Sequence, residues 1–469
     1  MAIQLQRSGI SYVILEKANE VGGTWFFNQY PGCACDIPSH LYSFSFEPNP
    51  SWSRAYPTQP EILDYLKHCA RKYNLYEHIQ FNSEVISSTW DSESSKWNIM
   101  LQTGQKVEAN VAVSGQGVLH VPNYPAFPDL AKFEGKILHT AEWDTSYDLQ
   151  GKRIGIIGSA ASAIQAIPKI AKQAARLFVF QRTPNWVVPK IDGPYSSWAK
   201  HLLRVPLCSS ILRSLYYWRQ ESIYFLIFQN PELLSAKLLR GLLKRLIKRQ
   251  VKDKALAEKL TPSYHVGCKR ILISNDFYPA LCKENVSVEK EPIARIIPNG
   301  IVMDHNGEAR TIELDAIAFA TGFQVMVGFP PIHGLDKKDL ITEVWGSTPA
   351  AYLGLTVPGF PNFFFLLGPN TALGHNSVVW MIECQVNYII KIIHRMLERN
   401  FVSVDTNKNS FDEYQQNISE SLSSKVWSRN YCNSWYQNEN GTIFTLWPSS
   451  TLSYWKSTLQ PVWEHFIFS

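Results

Sequence analysis

At 469 residues, 45% hydrophobic and 18% charged, the chain has the apolar content to bury at least two cores and the length of about three domain-sized units. It reads as a soluble globular protein. A formal net charge of +5 calls for no nucleic acid and leaves room for an anionic ligand or a membrane surface, and phosphate-bearing cofactors fit it.

In chain order, Met1 to Ser8 reads as the back half of a helix ended by Gly9, and Ser11 to Leu15 as a buried strand closed by Glu16. A strand followed by an acid is half of a dinucleotide-binding βαβ unit. The carboxylate takes the ribose hydroxyls of the adenosine, and a Gly-x-Gly-x-x-Gly turn precedes the helix that feeds the strand. That turn would fall before Met1, and with it the N–H groups that cradle a pyrophosphate at a helix N-terminus. The chain continues through Gly22-Gly23-Thr24-Trp25, Tyr30-Pro31-Gly32, Cys33, Cys35, Asp36 and Tyr42. Val85 lies in Ser-Glu-Val-Ile-Ser-Ser-Thr-Trp, and Phe133-x-Gly135-x-x-x-His139-x-x-x-Trp143-Asp144 sits in the joint before a second unit.

That second unit is complete. Lys152 to Ile157 is a short apolar strand, Gly158-Ser159-Ala160-Ala161-Ser162-Ala163 is the turn, and Ile164 to Ala175 continues with helical periodicity. The turn reads Gly-x-Ala-x-x-Ala, with Ala160 where a glycine normally lets the backbone approach the pyrophosphate, at some expense of affinity. The next strand, Leu177 to Phe180, ends in Gln181-Arg182-Thr183-Pro184 at the distance where the ribose is read. An acid there would select NAD, whereas Arg182 with Thr183 favours the 2′-phosphate of NADPH; the plainer alternative is an arginine capping a strand end. From about 190 to 263 the pattern turns to Leu, Tyr, Trp and basic residues without strand alternation, which predicts a helical insert. Within it, Lys237 to Arg249 sets Leu238, Leu239, Leu242, Leu243, Leu246 and Ile247 on one face and the charges on the other. Such a basic helix, spanning about 237–250, lies on an anionic membrane or caps an internal core, and the pattern leaves both open.

Beyond the insert come Tyr264-His-Val-Gly267-Cys268-Lys269-Arg270, then Ala320-Thr321-Gly322, then Gly368-Pro369-Asn370-Thr371-Ala-Leu-Gly374-His375-Asn376-Ser377. Together with the Phe133 to Asp144 pattern these segments resemble the flavin-containing monooxygenase superfamily. The Trp followed by Asp resembles its Baeyer-Villiger branch. The resemblance runs from Met1 to about Trp455 outside the insert.

What it implies is an α/β fold of two Rossmann-like dinucleotide-binding domains. The FAD domain falls in two parts, at 1–145 and 331–469, and the NADPH domain at 146–330 carries the insert. Glu16, Gly23, Thr24, Trp25, Asp36, Tyr42, Val85 and Asn370 would meet FAD. Gly158, Ser159, Ala160, Ser162, Ala163, Arg182 and Thr183 would meet NADPH, with Lys269 on its ribose or phosphate and Arg270 beside the flavin. No metal is expected. The implied activity starts with reduction of FAD by NADPH; O2 then forms a C4a-peroxyflavin, and a ketone or other lipophilic substrate becomes an ester or lactone. Arg270 would be catalytic, because a permanent guanidinium charge stabilises the peroxide anion and the tetrahedral adduct, and Asp36 would orient it. His139 reads as a structural hinge residue. Two alternatives stay open: N- or S-oxygenation, which needs a protonated peroxide, and a truncated, catalytically impaired protein that binds NADP or serves structurally, suggested by the absent glycine turn.

The eight cysteines are scattered, and only Cys33 and Cys35 lie close, without the second pair a zinc site needs. They read as reduced thiols of a cytoplasmic protein. The sequons at Asn285, Asn417 and Asn440 carry no weight in that reading, since no signal-like segment opens the chain and no apolar run approaches the ~20 residues of a membrane span.

Overall fold

Five strands form one parallel sheet in the computed structural model, which describes residues 1–229, 234–305, 308–325, 327–428, 432 and 434–469. They are β1 (Lys136–His139), β2 (Arg153–Ile157), β3 (Arg176–Phe180), β4 (Val286–Glu289) and β5 (Ala316–Phe319), in spatial order β4-β3-β2-β5-β1. The inner strands read Arg-Ile-Gly-Ile-Ile and Ala-Ile-Ala-Phe, near-continuous apolar runs of the kind a parallel sheet covered on both faces requires. Ile154, Ile156, Leu177 and Val179 pack with the helix that follows β2, while Ile157, Phe180, Ile317 and Phe319 face the antiparallel ribbon of residues 293–313.

Among the helices of the described residues are α1 (Ala2–Arg7), α2 (Gln59–Lys72), α3 (Ala161–Ile170), α4 (Ser197–Leu203), α5 (Pro206–Ile223), α6 (Leu234–Gln250) and α7 (Val378–Arg399). The helix expected from Ile164 to Ala175 starts earlier and stops earlier, as α3. Pro168 inside it contributes no N–H, and the carbonyls of Ala171 and Ala174 beyond its end turn instead to the Asn285 side chain, at 3.1 and 2.9 Å.

The N-terminal part contains two separate parallel pairs, Ile14–Leu15 with Ile79–Gln80 and Ala112–Ser114 with Phe363–Phe365. The strand expected from Ser11 pairs only over its last two residues. Ile332–His333 pairs with Ser88 and Thr89, so the chain returns after β5 to the sheet begun at Val85. The insert is helical, as its composition predicts: α4, α5 and α6 lie between Val187–Val188 and Leu272–Ile273, two short strands paired with each other.

Two expectations need correction. The six apolar residues of α6 do not share one buried face. Leu243 and Ile247 are buried and Leu239 and Leu246 pack on them, but Leu238 and Leu242 are exposed, because the six span about half the circumference and the core reaches only the far side. The cysteines are not all thiols either. Cys268 and Cys432 form a disulfide across 164 residues of sequence, a separation that leaves no local signal. Among the described residues no helix is long and apolar enough to cross a membrane.

Candidate active site

The loop after Tyr30 is laid on α3. Gly32 has a left-handed φ of +84°, and a Cβ there would come within 2.6 Å of the Gln165 carbonyl, so only glycine allows this approach. Gln165 fastens the loop: its Oε1 accepts from the Tyr30 hydroxyl at 2.8 Å and from Ala34 N at 3.3 Å, and its Nε2 donates to Ala34 O at 2.9 Å. Burial pushes the Cys33 thiol up to about 11 and the Cys35 thiol higher still, so neither is a nucleophile near neutrality.

This loop delivers Asp36 to Arg270. Nε donates to Oδ2 at 2.6 Å and Nη2 to Oδ1 at 2.8 Å, a planar two-pronged contact, while Nη1 donates to Leu373 O at 3.1 Å. Both side chains are 27% exposed, so neither is sealed from solvent. Burial alone would raise the Asp36 carboxyl, but the guanidinium outweighs it and holds the group below the usual carboxylate range. Arg270 is held above its ordinary value by the same partner against the opposing effect of burial. Its position follows from the chain beyond it, because Leu272 N donates to Trp186 O and Leu272–Ile273 is paired with Val187–Val188. Tyr436 is buried beside the pair; no motif in the sequence pointed to it.

Gly158, with φ +113°, ends β2 where a Cβ would stand 2.4 Å from Ala320 O, which explains the glycine at the head of the turn. Ser159 is buried and donates from Oγ to Thr183 O at 3.2 Å, tying the turn to the segment after β3. Ala160 and Ala161 are exposed at the start of α3, Ser162 is half-buried and Ala163 lies in the core. Arg182 is exposed after β3. Lys269 lies close enough to feel its charge: burial, then Arg182, lowers the Lys269 ammonium below its ordinary value. Among the described residues neither cation has an ion-pair partner, and a coenzyme phosphate is an anion that such a pair fits.

In the N-terminal segment, Glu16 follows Ile14–Leu15, and its Oε1 accepts from Ala18 N at 2.9 Å. Gly22 and Gly23 both have positive φ, and Gly23 and Thr24 are exposed at a single helical turn. Trp25 donates from Nε1 to the Tyr42 hydroxyl at 3.1 Å with the rings edge to face, and Gln59 Nε2 holds the Trp25 carbonyl. Val85 opens its strand half-buried. Asn370 is buried in a left-handed turn, and its Nδ2 donates to Ile443 O and Leu446 O at 3.1 and 3.3 Å. Its side chain is therefore committed to the protein, and a ligand would meet the backbone of that turn. An exposed glycine turn, the Glu16 carboxylate and a half-buried indole fit a flavin nucleotide.

The pattern that opens at Phe133 is largely structural. Phe133 and Trp143 are core residues, and a Cβ on Gly135 would reach within 2.6 Å of Asp315 O. Asp144 pairs with Lys136 at 2.6 Å, which with hydrogen bonds from Ser146 holds its carboxyl at about 2. His139 ends β1 buried, its Nδ1 accepting from Ala141 N at 3.0 Å. A further cluster escaped sequence reading. Glu221 of α5 is 1% exposed and accepts from Thr451 N and Oγ1, each at 2.7 Å, and from Asn376 Nδ2 at 2.8 Å, with His375 Nε2 at 3.5 Å. Gln220 donates to His375 O at 2.9 Å. These bonds pin the loop before α7 to the insert.

Over residues 7–335 the sequence matches the flavin-binding monooxygenase-like family. The chain belongs to that family. It is therefore a flavin-dependent monooxygenase. A Baeyer-Villiger monooxygenase of Pseudomonas aeruginosa is 43% identical over 456 residues, 96% of this chain and 85% of that protein. One of Streptomyces coelicolor is 40% identical over 462 residues, covering 97% and 88%. The fold matches an oxidized steroid monooxygenase bound to NADP with a TM-score of 0.87 at 29% identity, over 99% of this chain and 96% of that one. It also matches OTEMO in complex with FAD and NADP, with a TM-score of 0.89 at 26% identity over 100% and 96%. The two-domain α/β reading of the sequence agrees with these structures.

Proposed function

We propose that this monooxygenase carries out Baeyer-Villiger oxidation: one atom of O2 enters beside the carbonyl of a ketone to give an ester or lactone, the other leaves as water, and NADPH becomes NADP+. FAD, when bound, would carry the electrons from NADPH to O2 and deliver one of its two oxygen atoms to the ketone. Glu16, Gly23, Thr24, Trp25, Tyr42, Val85 and the turn at Asn370 would hold it. Gly158, Ser159, Ala160, Ser162, Ala163, Arg182, Thr183 and Lys269 would hold NADPH, with the cation pair on its phosphate.

The observation that carries the reading is the Arg270–Asp36 contact. Of the five N–H groups of a guanidinium, this geometry engages three, on Asp36 and on Leu373 O, and leaves one on each terminal nitrogen. Insertion beside a carbonyl needs an anionic oxygen nucleophile, and the tetrahedral adduct puts negative charge on the former carbonyl oxygen. A cation that never deprotonates stabilises both without protonating either. Asp36 keeps the fork in one orientation. The absence of a proton to give favours ketone oxidation over N- or S-oxygenation, which needs a protonated oxidant.

The same proposal assigns residues 1–145 and 331–469 to the FAD domain and 146–330 to the NADPH domain, with β1 crossing from the first segment into the second sheet. The return of Ile332–His333 to the strand at Val85 supports it. A membrane contact through residues 237–250 is a separate proposal with its own test. To test the activity, the FAD-loaded chain would be given NADPH, 18O2 and a panel of cyclic and linear ketones. Esters carrying one 18O are expected, with one NADPH consumed per product. Oxygen transfer to amines or sulfides alone would overturn the reading.

A further inference from the structure

Helix α5 is inverted. Leu207, Ile211, Leu215 and Trp218 recur at i, i+4, i+8 and i+11, one row of the helix, and they are between 52% and 68% exposed. The outward positions between them are serines, Ser210 and Ser214, and the next turn adds the exposed Phe225 and Leu226. The charged side chains of this helix point inward or sideways to fixed partners. Arg213 donates to His40 O and Ser43 O at 2.7 and 3.0 Å, Arg219 donates to the Tyr56 hydroxyl at 2.9 Å, and Glu221 is in the buried cluster with His375. A solvent-facing helix normally shows the reverse distribution.

The neighbouring helices continue the pattern. Helix α6 packs against the turn at Tyr224–Phe228. Its outward row begins with Leu234, Leu238 and Leu242, 59–71% exposed, and continues with Arg245 and Arg249, also exposed. The helix carries lysines and arginines but no carboxylate. Before α5, helix α4 adds the exposed Trp198 and Leu202. An uncharged apolar row, exposed tryptophans and adjoining positive charge without acidic residues are complementary to one kind of partner. Apolar side chains and indoles enter the boundary between headgroups and acyl chains, and arginines meet lipid phosphates.

We propose that the outer face of α4, α5 and α6 is the surface by which this enzyme rests on an anionic lipid bilayer. The row on α5 sinks into the headgroup boundary, and Arg245 and Arg249 take the phosphates. Among the described residues no helix is long and apolar enough to cross, and the contact is peripheral.

The test is co-sedimentation of the full chain with vesicles of phosphatidylcholine alone and of phosphatidylcholine with phosphatidylglycerol. Binding to the anionic vesicles, weakened by added salt, is expected. Leu215→Ser with Trp218→Ser should lower that affinity about a hundredfold, near tenfold for each large apolar side chain. Arg245→Gln with Arg249→Gln should lower it about twentyfold, near fivefold for each charge, while leaving neutral vesicles unaffected. None of these four side chains lies in the site, so NADPH-dependent turnover reports that each variant is folded. Absence of vesicle binding by the intact chain would overturn the proposal. So would a dimer in sedimentation that Leu215→Ser with Trp218→Ser converts to monomer without changing vesicle binding, because a second copy would then be what covers the row.

Discussion

Replacing Arg270 by lysine keeps the charge and removes the fork, which makes it the sharpest probe of the site. In the parent, Asp36 takes one N–H on each carboxylate oxygen, Leu373 O takes a third, and two remain for a reacting oxygen. An ammonium has three N–H groups on a single atom. It cannot satisfy both Asp36 oxygens and Leu373 O and still present a donor to the oxygen where charge develops. The expected loss is that of one oxyanion donor, about a hundredfold to a thousandfold in kcat for the ester, or ~2.7–4 kcal/mol. Arg270→Ala should lose more, since the charge goes too. It should also cost about 1.5–3 kcal/mol of stability, because the Asp36 carboxylate is left without its charge-assisted partners.

Hydride transfer from NADPH does not use these donors. Stopped-flow reduction of bound FAD in Arg270→Lys should therefore run near the parental rate, while product analysis with an accepted ketone shows ester falling and hydrogen peroxide rising in its place. If the lysine variant formed ester at the parental rate, charge alone would suffice and the fork argument would be wrong. If reduction failed along with oxygenation, Arg270 would belong to coenzyme binding instead.

Arg182→Ala should raise KM for NADPH and leave that for NADH nearly unchanged, because only NADPH has a 2′-phosphate to lose; equal effects on both coenzymes would reduce Arg182 to a strand cap. Lys269, lowered by burial and by Arg182, should lose its charge at a pH below the ordinary lysine range near 10.4, so KM for NADPH should climb on the alkaline side earlier than a free lysine would dictate. Lys269→Arg should flatten that limb, and an unchanged limb would assign it to another group. Cys432→Ser should destabilise the chain by about 2–4 kcal/mol in urea unfolding, and dithiol treatment of the parent should produce the same shift. A dithiol-insensitive midpoint would argue against a bridge to Cys268.

Much of the site was legible because its signals are local. The strand, turn and helix around Gly158 lie within about twenty residues, and the glycine has a reason visible on the spot, the 2.4 Å approach to Ala320 O. Asp36 and Arg270 each sit in a contiguous motif, and the family pattern implied both residues and that Asp36 orients Arg270, though not the third bond to Leu373 O. Glu221 had no such advantage. Its partners His375, Asn376 and Thr451 are 154 to 230 positions away, and within α5 it reads as one more polar residue of a helix. Cys268 and Cys432 are hidden for the same reason. The face of α6 was misjudged because periodicity shows where apolar residues lie on a helix but not how much of the circumference a neighbour covers.

Three remote stretches converge on one guanidinium. Asp36 comes on a loop fixed to α3 by Gln165, Arg270 on the segment tethered to Trp186, and Leu373 on the turn before α7 that Glu221 and Gln220 pin to the insert. A partly buried ion pair gains little net stability over an apolar pair, since desolvation offsets much of the attraction. What it gains is direction: with two prongs on Asp36 and one on Leu373 O, the guanidinium plane is fixed and the remaining N–H groups have one place to point. That orientation draws on segments far apart in sequence, around Asp36, Arg270 and Leu373. The inward face of α5 therefore helps to fix the loop that carries Leu373, and so the plane of the guanidinium.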